Sequence, residues 1–281
     1  MKNILTERIK SANLTKTQRK IADYFINNQE RIGSLSSMEV AQDIGVSDAS
    51  IIRFSRAIGF DGFSDLKDSI YNMLVENAFS GLSLAERMEQ SSEKYDGETD
   101  LAGQFQQIMN QNILATFRNN SPEDFYKLAD YMIQAKNKYI IGLRGCRGIA
   151  TDFSRLLSFM LPDVRCLTDG ECASIQSLQD VGENDIVLMF VFSRFYKIDL
   201  GYLEMARKYG AKICIVMNDL SGPLNSYADL VLLSSTGNMS FFNSKIGTEV
   251  IAEYILTLIG RSVEYKDRLK ERDAIISDQL L

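Results

Sequence analysis

The chemistry open to this chain is limited first by a residue type it lacks. Its 281 residues include no histidine, which removes Ser-His-Asp and Cys-His nucleophilic machinery, histidine general bases and His-ligated zinc. The four cysteines, Cys146, Cys166, Cys172 and Cys214, form no C-x-x-C pair. They read as reduced thiols of a cytoplasmic protein. Acid–base chemistry would fall to carboxylates such as Glu171, Glu249 or Glu253, each of which reads more simply as a solvated or capping carboxylate. No catalytic residue, metal ligand or cofactor is therefore assigned.

Two loops carry the groups that bind anions. Arg144-Gly145-Cys146-Arg147-Gly148 follows the apolar run Tyr139–Leu143 and precedes a helical pattern. Glycines at such a place let backbone N–H groups approach an anion at a helix N-terminus, and arginines add bidentate phosphate contacts. The second loop, Ser193-Arg194-Phe195-Tyr196-Lys197, follows the apolar run Ile186–Phe192 and offers one hydroxyl and two cations. The candidate ligand-binding residues are Arg144, Gly145, Cys146, Arg147, Ser193 and Arg194. Plainer alternatives stay open: a buried small thiol for Cys146, and a strand-end turn with a solvated arginine for Ser193-Arg194. The glycines Gly142, Gly145 and Gly148 repeat every three residues and do not form G-x-G-x-x-G, so a dinucleotide fold is not indicated.

A third cluster lies in the stretch from Ser37 to Arg56. Val40, Ala41 and Ile44 make one apolar face, and Gly45 supplies a left-handed stop. Val46 fills the corner. Ser47 stands at the N-cap of a second helix with Asp48 in its first turn. Ile51, Phe54 and Ile58 share the buried face of that helix by their i, i+3, i+7 spacing. The opposite face is Ala49, Ile52, Arg53 and Arg56, with Ser50 on its flank. Small residues followed by arginines suit a helix in the major groove, where arginine contacts guanine O6 and N7 or a phosphate. Ser47, Asp48, Ala49, Ser50, Arg53 and Arg56 are the candidate DNA-binding residues. An ordinary helical hairpin with solvated arginines is the competing reading.

The elements that must position these clusters divide the chain. Residues 1–79 read as helices, 80–100 as a polar linker in which Leu84–Met88 could start a helix, and 101–281 as an α/β unit. Ser121-Pro122-Glu123-Asp124 marks a helix start. Beyond it, apolar runs at Tyr139–Leu143, Val164–Leu167, Ile186–Phe192, Lys212–Met217 and Leu230–Leu233 alternate with helical patterns at Ile149–Met160, Ala173–Gln179 and Leu200–Tyr209, and a short turn near Leu224. Ile246–Ile259 and Val263–Leu281 read as closing helices. This rhythm predicts a doubly wound, five-stranded parallel sheet behind an all-α N-terminal domain, an α/β protein overall.

The net charge of −6 sits wholly outside residues 1–80, where ten basic groups balance ten acidic ones. Six bases against Glu7 in the first twenty residues leave room for a locally positive face. The longest apolar run, Ile186–Phe192, is far below the roughly 20 residues that span a bilayer, so no membrane partner is expected.

The run Ile51-Ile52-Arg53-Phe54-Ser55-Arg56-Ala57-Ile58-Gly59-Phe60-Asp61-Gly62-Phe63-Ser64-Asp65-Leu66-Lys67, with Leu14-Thr15 through Tyr24, resembles the N-terminal domain of the RpiR family of bacterial transcription regulators. The resemblance covers roughly residues 1–78. It implies a helix-turn-helix module working in a dimer or tetramer, with the recognition helix at Ser47–Ile58. Residues 104–262 resemble the SIS (sugar isomerase) domain, which in that family senses a phosphosugar. Departures stand in both loops. Cys146 replaces a serine, only Ser193 survives of the second loop's hydroxyls, Phe195 and Tyr196 stand where serine and glycine are usual, and Ile198 stands where threonine is. The function implied is a cytoplasmic regulator that binds a double-stranded operator and a small anionic metabolite, a sugar phosphate first of all. A phosphosugar isomerase or lyase, and a regulator with a vestigial pocket, are the alternatives.

Overall fold

The computed structural model describes residues 4–32, 35–67, 69–70, 83–95, 100–169, 175–220 and 222–277. The chain forms two compact units, Met1–Lys94 and Tyr95–Leu281.

The first unit is helical: α1 (Ile4–Ser11), α2 (Lys16–Asn27), α3 (Gln29–Ile32), α4 (Ser37–Ile44) and α5 (Asp48–Ala57). Two of these begin with reciprocal side-chain caps, Thr15 with Gln18 and Ser36 with Glu39. Each such box satisfies two N–H groups that the helix itself cannot. Ile21, Ala22 and Phe25 of α2, Val40, Ala41 and Ile44 of α4, and Ile51 and Phe54 of α5 are buried in one core with Ile58, Phe60 and Phe63. Phe25 lies at its centre, with its ring 5.4 Å from that of Phe54 and 6.3 Å from that of Phe63. The corner between α4 and α5 is made as the sequence predicts. Gly45 has φ +73°, its N–H donates to the Gln42 and Ala41 carbonyls, and the Val46 N–H donates to the Ala41 carbonyl at 2.9 Å. That is the Schellman arrangement, which lets one left-handed residue end a helix sharply.

The segment read as a polar linker contains a helix, α6 (Leu84–Tyr95). Its start agrees with the helix start read at Leu84–Met88, and beyond Met88 it carries too few apolar residues to show a period. Residues 71–79, read as helical, lie outside the described residues.

The second unit runs α7 (Leu101–Arg118), α8 (Pro122–Gln134), β1 (Lys138–Gly142), α9 (Arg147–Met160), β2 (Val164–Leu167), β3 (Ile186–Val191), α10 (Lys197–Lys208), β4 (Lys212–Met217), β5 (Leu230–Leu233), α11 (Ile246–Ser262) and α12 (Lys266–Ile276). All strands are parallel, in the order β2-β1-β3-β4-β5. Alternate strand residues serve two cores. Ile140, Leu188, Phe190, Cys214 and Val216 pack with residues of α8, α9 and α11, and Tyr139, Ile141, Val187, Met189, Ile213 and Ile215 pack with residues of α10. This two-sided burial is why β1 and β3 read as continuous apolar runs. The helix expected at Ala173–Gln179 is, among the described residues, only a 3-10 turn at Gln176–Leu178. The residues before Ile175, including Glu171 and Cys172, lie outside the described ones.

Side chains of α7, and Asn120 just past its end, pair backbone groups at the carboxyl end of β5 and beyond it. Asn120 accepts from the Leu233 N–H at 2.7 Å and donates to the Leu233 carbonyl at 2.7 Å, while Thr116 accepts from Ser235 N–H and Asn112 exchanges bonds with Gly237.

Candidate functional site

The α5 helix presents the face the sequence assigns to it. Ile51 and Phe54 point into the core, Ser47, Ala49, Arg53 and Arg56 are exposed, and Asp48, Ser50 and Ile52 are half-buried. Ser47 holds the N-cap position, but its hydroxyl does not cap the helix. It lies 2.8 Å from the Ser50 hydroxyl instead, and Ser50 in turn accepts from Arg53 Nη2 at 3.2 Å. The Arg56 Nε donates to the Asp61 carbonyl at 3.1 Å, which ties the arginine to the loop after α5 and leaves its terminal nitrogens outward. Among the described residues Arg53 is thus held by a neighbouring hydroxyl alone, which leaves it able to reach along the helix face. Arg56 is anchored to backbone. Lys20, which the sequence reading passed over, caps the turn by donating to the Ile44 carbonyl at 2.6 Å.

In the second unit, β1 and β3 are neighbours and successive connections leave to opposite sides, so a crevice opens beyond their carboxyl ends. This is where ligands sit in open α/β sheets. Both candidate loops lie there. The first makes a 3-10 turn over Arg144–Cys146 before α9 begins. Arg144 and Arg194, one from each loop, have left-handed backbones, with φ of 51° and 76°. Such geometry costs a non-glycine residue roughly 1–2 kcal/mol, and strain of this kind gathers at functional sites.

The side chains are placed unequally. Arg144 is clamped: its Nη2 donates to both carboxylate oxygens of Asp199, at 3.0 and 2.7 Å, and its guanidinium lies 4.1 Å from the centre of the Tyr196 ring. Arg147 is exposed, with the Thr168 carbonyl at 3.2 Å and Asp169 at 3.6 Å. Gly145 is exposed with open space beside its Cα. The Cys146 thiol turns into the core beneath the loop, and burial pushes its pKa up to about 12. In the second loop the Ser193 N–H donates to Asn218 Oδ1 at 2.7 Å, and the Ser193 hydroxyl accepts from Asn218 Nδ2 at 3.2 Å. Asn218 also reaches Thr236 Oγ1 at 3.4 Å, so one amide ties the ends of β3, β4 and β5 together. Arg194 is half-buried. The Phe195 ring packs against Gly222, in the space that a Cβ there would occupy.

Three residues at this end of the sheet escaped the sequence reading, Asp199, Asn218 and Lys245, and Tyr196 was noted there only as a departure in the second loop. Lys245 stands at the N-cap of α11, and its charge reaches the Cys146 thiol. No local pattern marks these residues, because their partners lie in other connections of the sheet.

Residues 3–76 match the helix-turn-helix domain of the rpiR family. The chain is 25% identical over 289 residues to an uncharacterised HTH-type transcriptional regulator of Clostridium perfringens, covering 94% of this chain and 95% of the relative. The fold resembles the sugar isomerase domain of an RpiR transcription factor from Sphaerobacter thermophilus, with TM-score 0.58 and 18% identity, over 63% of this chain and 99% of that one. It also resembles the Vibrio vulnificus NanR protein complexed with ManNAc-6P, with TM-score 0.55 and 16% identity, over 99% of each chain. Among the described residues, no helix is long and apolar enough to cross a membrane.

Proposed function

We propose that the chain is a cytoplasmic transcription regulator that binds an operator through α5 and senses a phosphosugar, or a related anionic metabolite, in the crevice beyond β1 and β3. It acts as a homodimer or tetramer, and it is not an enzyme. The domains that do this are residues 1–79, with the linker at 80–100, and 101–281. The observation that carries the reading is the rpiR-family domain at residues 3–76, whose α5 helix turns its arginine face outward. Ser47, Asp48, Ala49, Ser50, Arg53 and Arg56 form the DNA-facing surface. Arg144, Gly145, Arg147, Ser193 and Arg194 surround the anion, and Cys146 supplies backbone only. That the similar NanR was solved with ManNAc-6P makes N-acetylhexosamine 6-phosphates the first compounds to try.

Two observations favour a second reading, a regulator whose crevice no longer takes a ligand: Asn218 holds the Ser193 N–H, and Asp199 holds Arg144. One experiment separates the readings. Binding of the chain to the upstream region of its own gene is titrated with a panel of sugar phosphates, and the same panel is screened for turnover. The effector reading expects a shift in DNA affinity with one compound and no turnover. DNA binding that no compound alters favours the second reading, and turnover favours a phosphosugar isomerase or lyase.

A further inference from the structure

Asp199 lies at the third position of α10, is only 1% exposed, and has every strong contact directed at one place. Its Oδ2 accepts from the Tyr196 N–H at 2.8 Å and from Arg144 Nη2 at 2.7 Å, and its Oδ1 accepts from the same Nη2 at 3.0 Å. The carboxylate is thus satisfied by the first turn of its own helix, whose dipole favours negative charge. It holds an arginine that arrives from the opposite lip of the crevice. Tyr196 covers one face of that guanidinium, and the left-handed backbone at Arg144 aims the side chain across the gap. The clamp consumes one nitrogen. The Nε–H and Nη1–H groups of Arg144 have no hydrogen-bond acceptor among the described residues, and the side chain remains 38% exposed.

The geometry points to Asp199 as the positioning residue of the effector site. It fixes the Arg144 guanidinium, with Tyr196 as its backing, so that the uncommitted Nη1 is held in place as a cationic donor to a phosphate group. A free arginine loses several rotatable bonds of freedom when it grips a ligand, and prior immobilisation removes that loss. This assignment rests on the effector reading above and adds to it the group that organises the site. It also offsets the scarcity of hydroxyls in the second loop, since an immobilised guanidinium supplies charge-assisted donation where serines are missing.

The sign of one substitution decides the matter. Removing a negative charge beside an anion site strengthens binding if Asp199 only neutralises Arg144. It weakens binding if Asp199 positions Arg144. Isothermal titration of the full chain with inorganic phosphate, hexose 6-phosphates and N-acetylhexosamine 6-phosphates is expected to show Asp199→Asn weakening the best ligand by about tenfold. In an Arg144→Ala background the same change is expected to have no effect, because the two residues act as one unit. Tyr196 is exposed, so Tyr196→Leu leaves the fold intact, and it is expected to weaken binding by about threefold through loss of the stack. Tighter or unchanged binding by Asp199→Asn overturns the assignment. So does an equal loss with and without Arg144, which marks a merely structural role. Failure of the unaltered chain to bind any of these probes overturns the effector reading itself, and the positioning role with it.

Discussion

Arg53 and Arg56 stand three residues apart on one exposed helix face, yet their tethers differ, and so should the consequences of removing them. Among the described residues Arg53 hydrogen-bonds only the Ser50 hydroxyl, at 3.2 Å. An arginine held this loosely can turn both terminal nitrogens to a guanine edge, a contact that contributes about 1–3 kcal/mol of discrimination. Arg53→Ala should therefore weaken operator binding by about 5- to 150-fold per half-site, while binding to a scrambled duplex changes little. Arg56 is anchored through Nε to the Asp61 carbonyl at 3.1 Å, which suits a fixed contact to phosphate. Arg56→Ala should weaken operator and scrambled duplex alike and lower the slope of log affinity against log salt by about 1 per site. Both side chains are exposed and alanine favours helix, so folding stability should move by no more than about 0.5 kcal/mol. Fluorescence anisotropy on the two duplexes at several salt concentrations measures both affinities and the salt slope, and thermal unfolding measures the stability. Equal losses on both duplexes for Arg53→Ala, or none on either, would refute base reading by Arg53.

The remaining predictions concern the scaffold and its titrating groups. Gly45→Ala puts a Cβ at φ +73° and should cost roughly 1–2 kcal/mol, read as a lower thermal midpoint of the helical unit. Glu249 has its pKa raised, first by burial and then by the nearby Asp152 and Glu253. A raised carboxylate stabilises the fold when protonated and loses that contribution as pH rises above about 4.5. Glu249→Gln should therefore raise the melting temperature at pH 7, with the gain fading below about pH 4.5; a gain that persists at pH 3 contradicts the cause given. Cys146 and Cys214 are buried with pKa values pushed up to about 12, whereas Cys166 is exposed. Alkylation at pH 8 followed by peptide mapping should label Cys166 in the folded chain, and the other two only after denaturation.

Much of the fold was legible because burial on both faces of a parallel sheet writes itself as apolar runs. Lys212–Met217 and Leu230–Leu233 are strands with the bounds the sequence predicts, and Ile186–Phe192 is a strand one residue shorter. The helix-turn-helix was legible for a similar reason. Its corner needs a left-handed residue and its helices need small and apolar residues at fixed spacing, and Gly45, Ala41, Ile51 and Phe54 supply them. Helix α6 was legible only at its start, because a polar helix carries too little periodicity to see. The crevice was half legible. The loops were placed by the strands that precede them, but the partners of their side chains were not. Arg144 and Asp199 are 55 positions apart, and they meet only because β1 and β3 are neighbours in the sheet. A thiol at Cys146 could face either the ligand or the core, and only the turn at Arg144–Cys146 sends it inward.

The measurement that bears most directly on the account is the affinity of the full chain for the DNA upstream of its own gene, taken with and without each member of a sugar-phosphate panel. Nanomolar binding that one phosphorylated sugar shifts by about 5- to 150-fold, and that Arg144→Ala leaves intact but unresponsive, is the expected result. A chain with no preference for that DNA over a scrambled duplex, at any salt concentration, contradicts it.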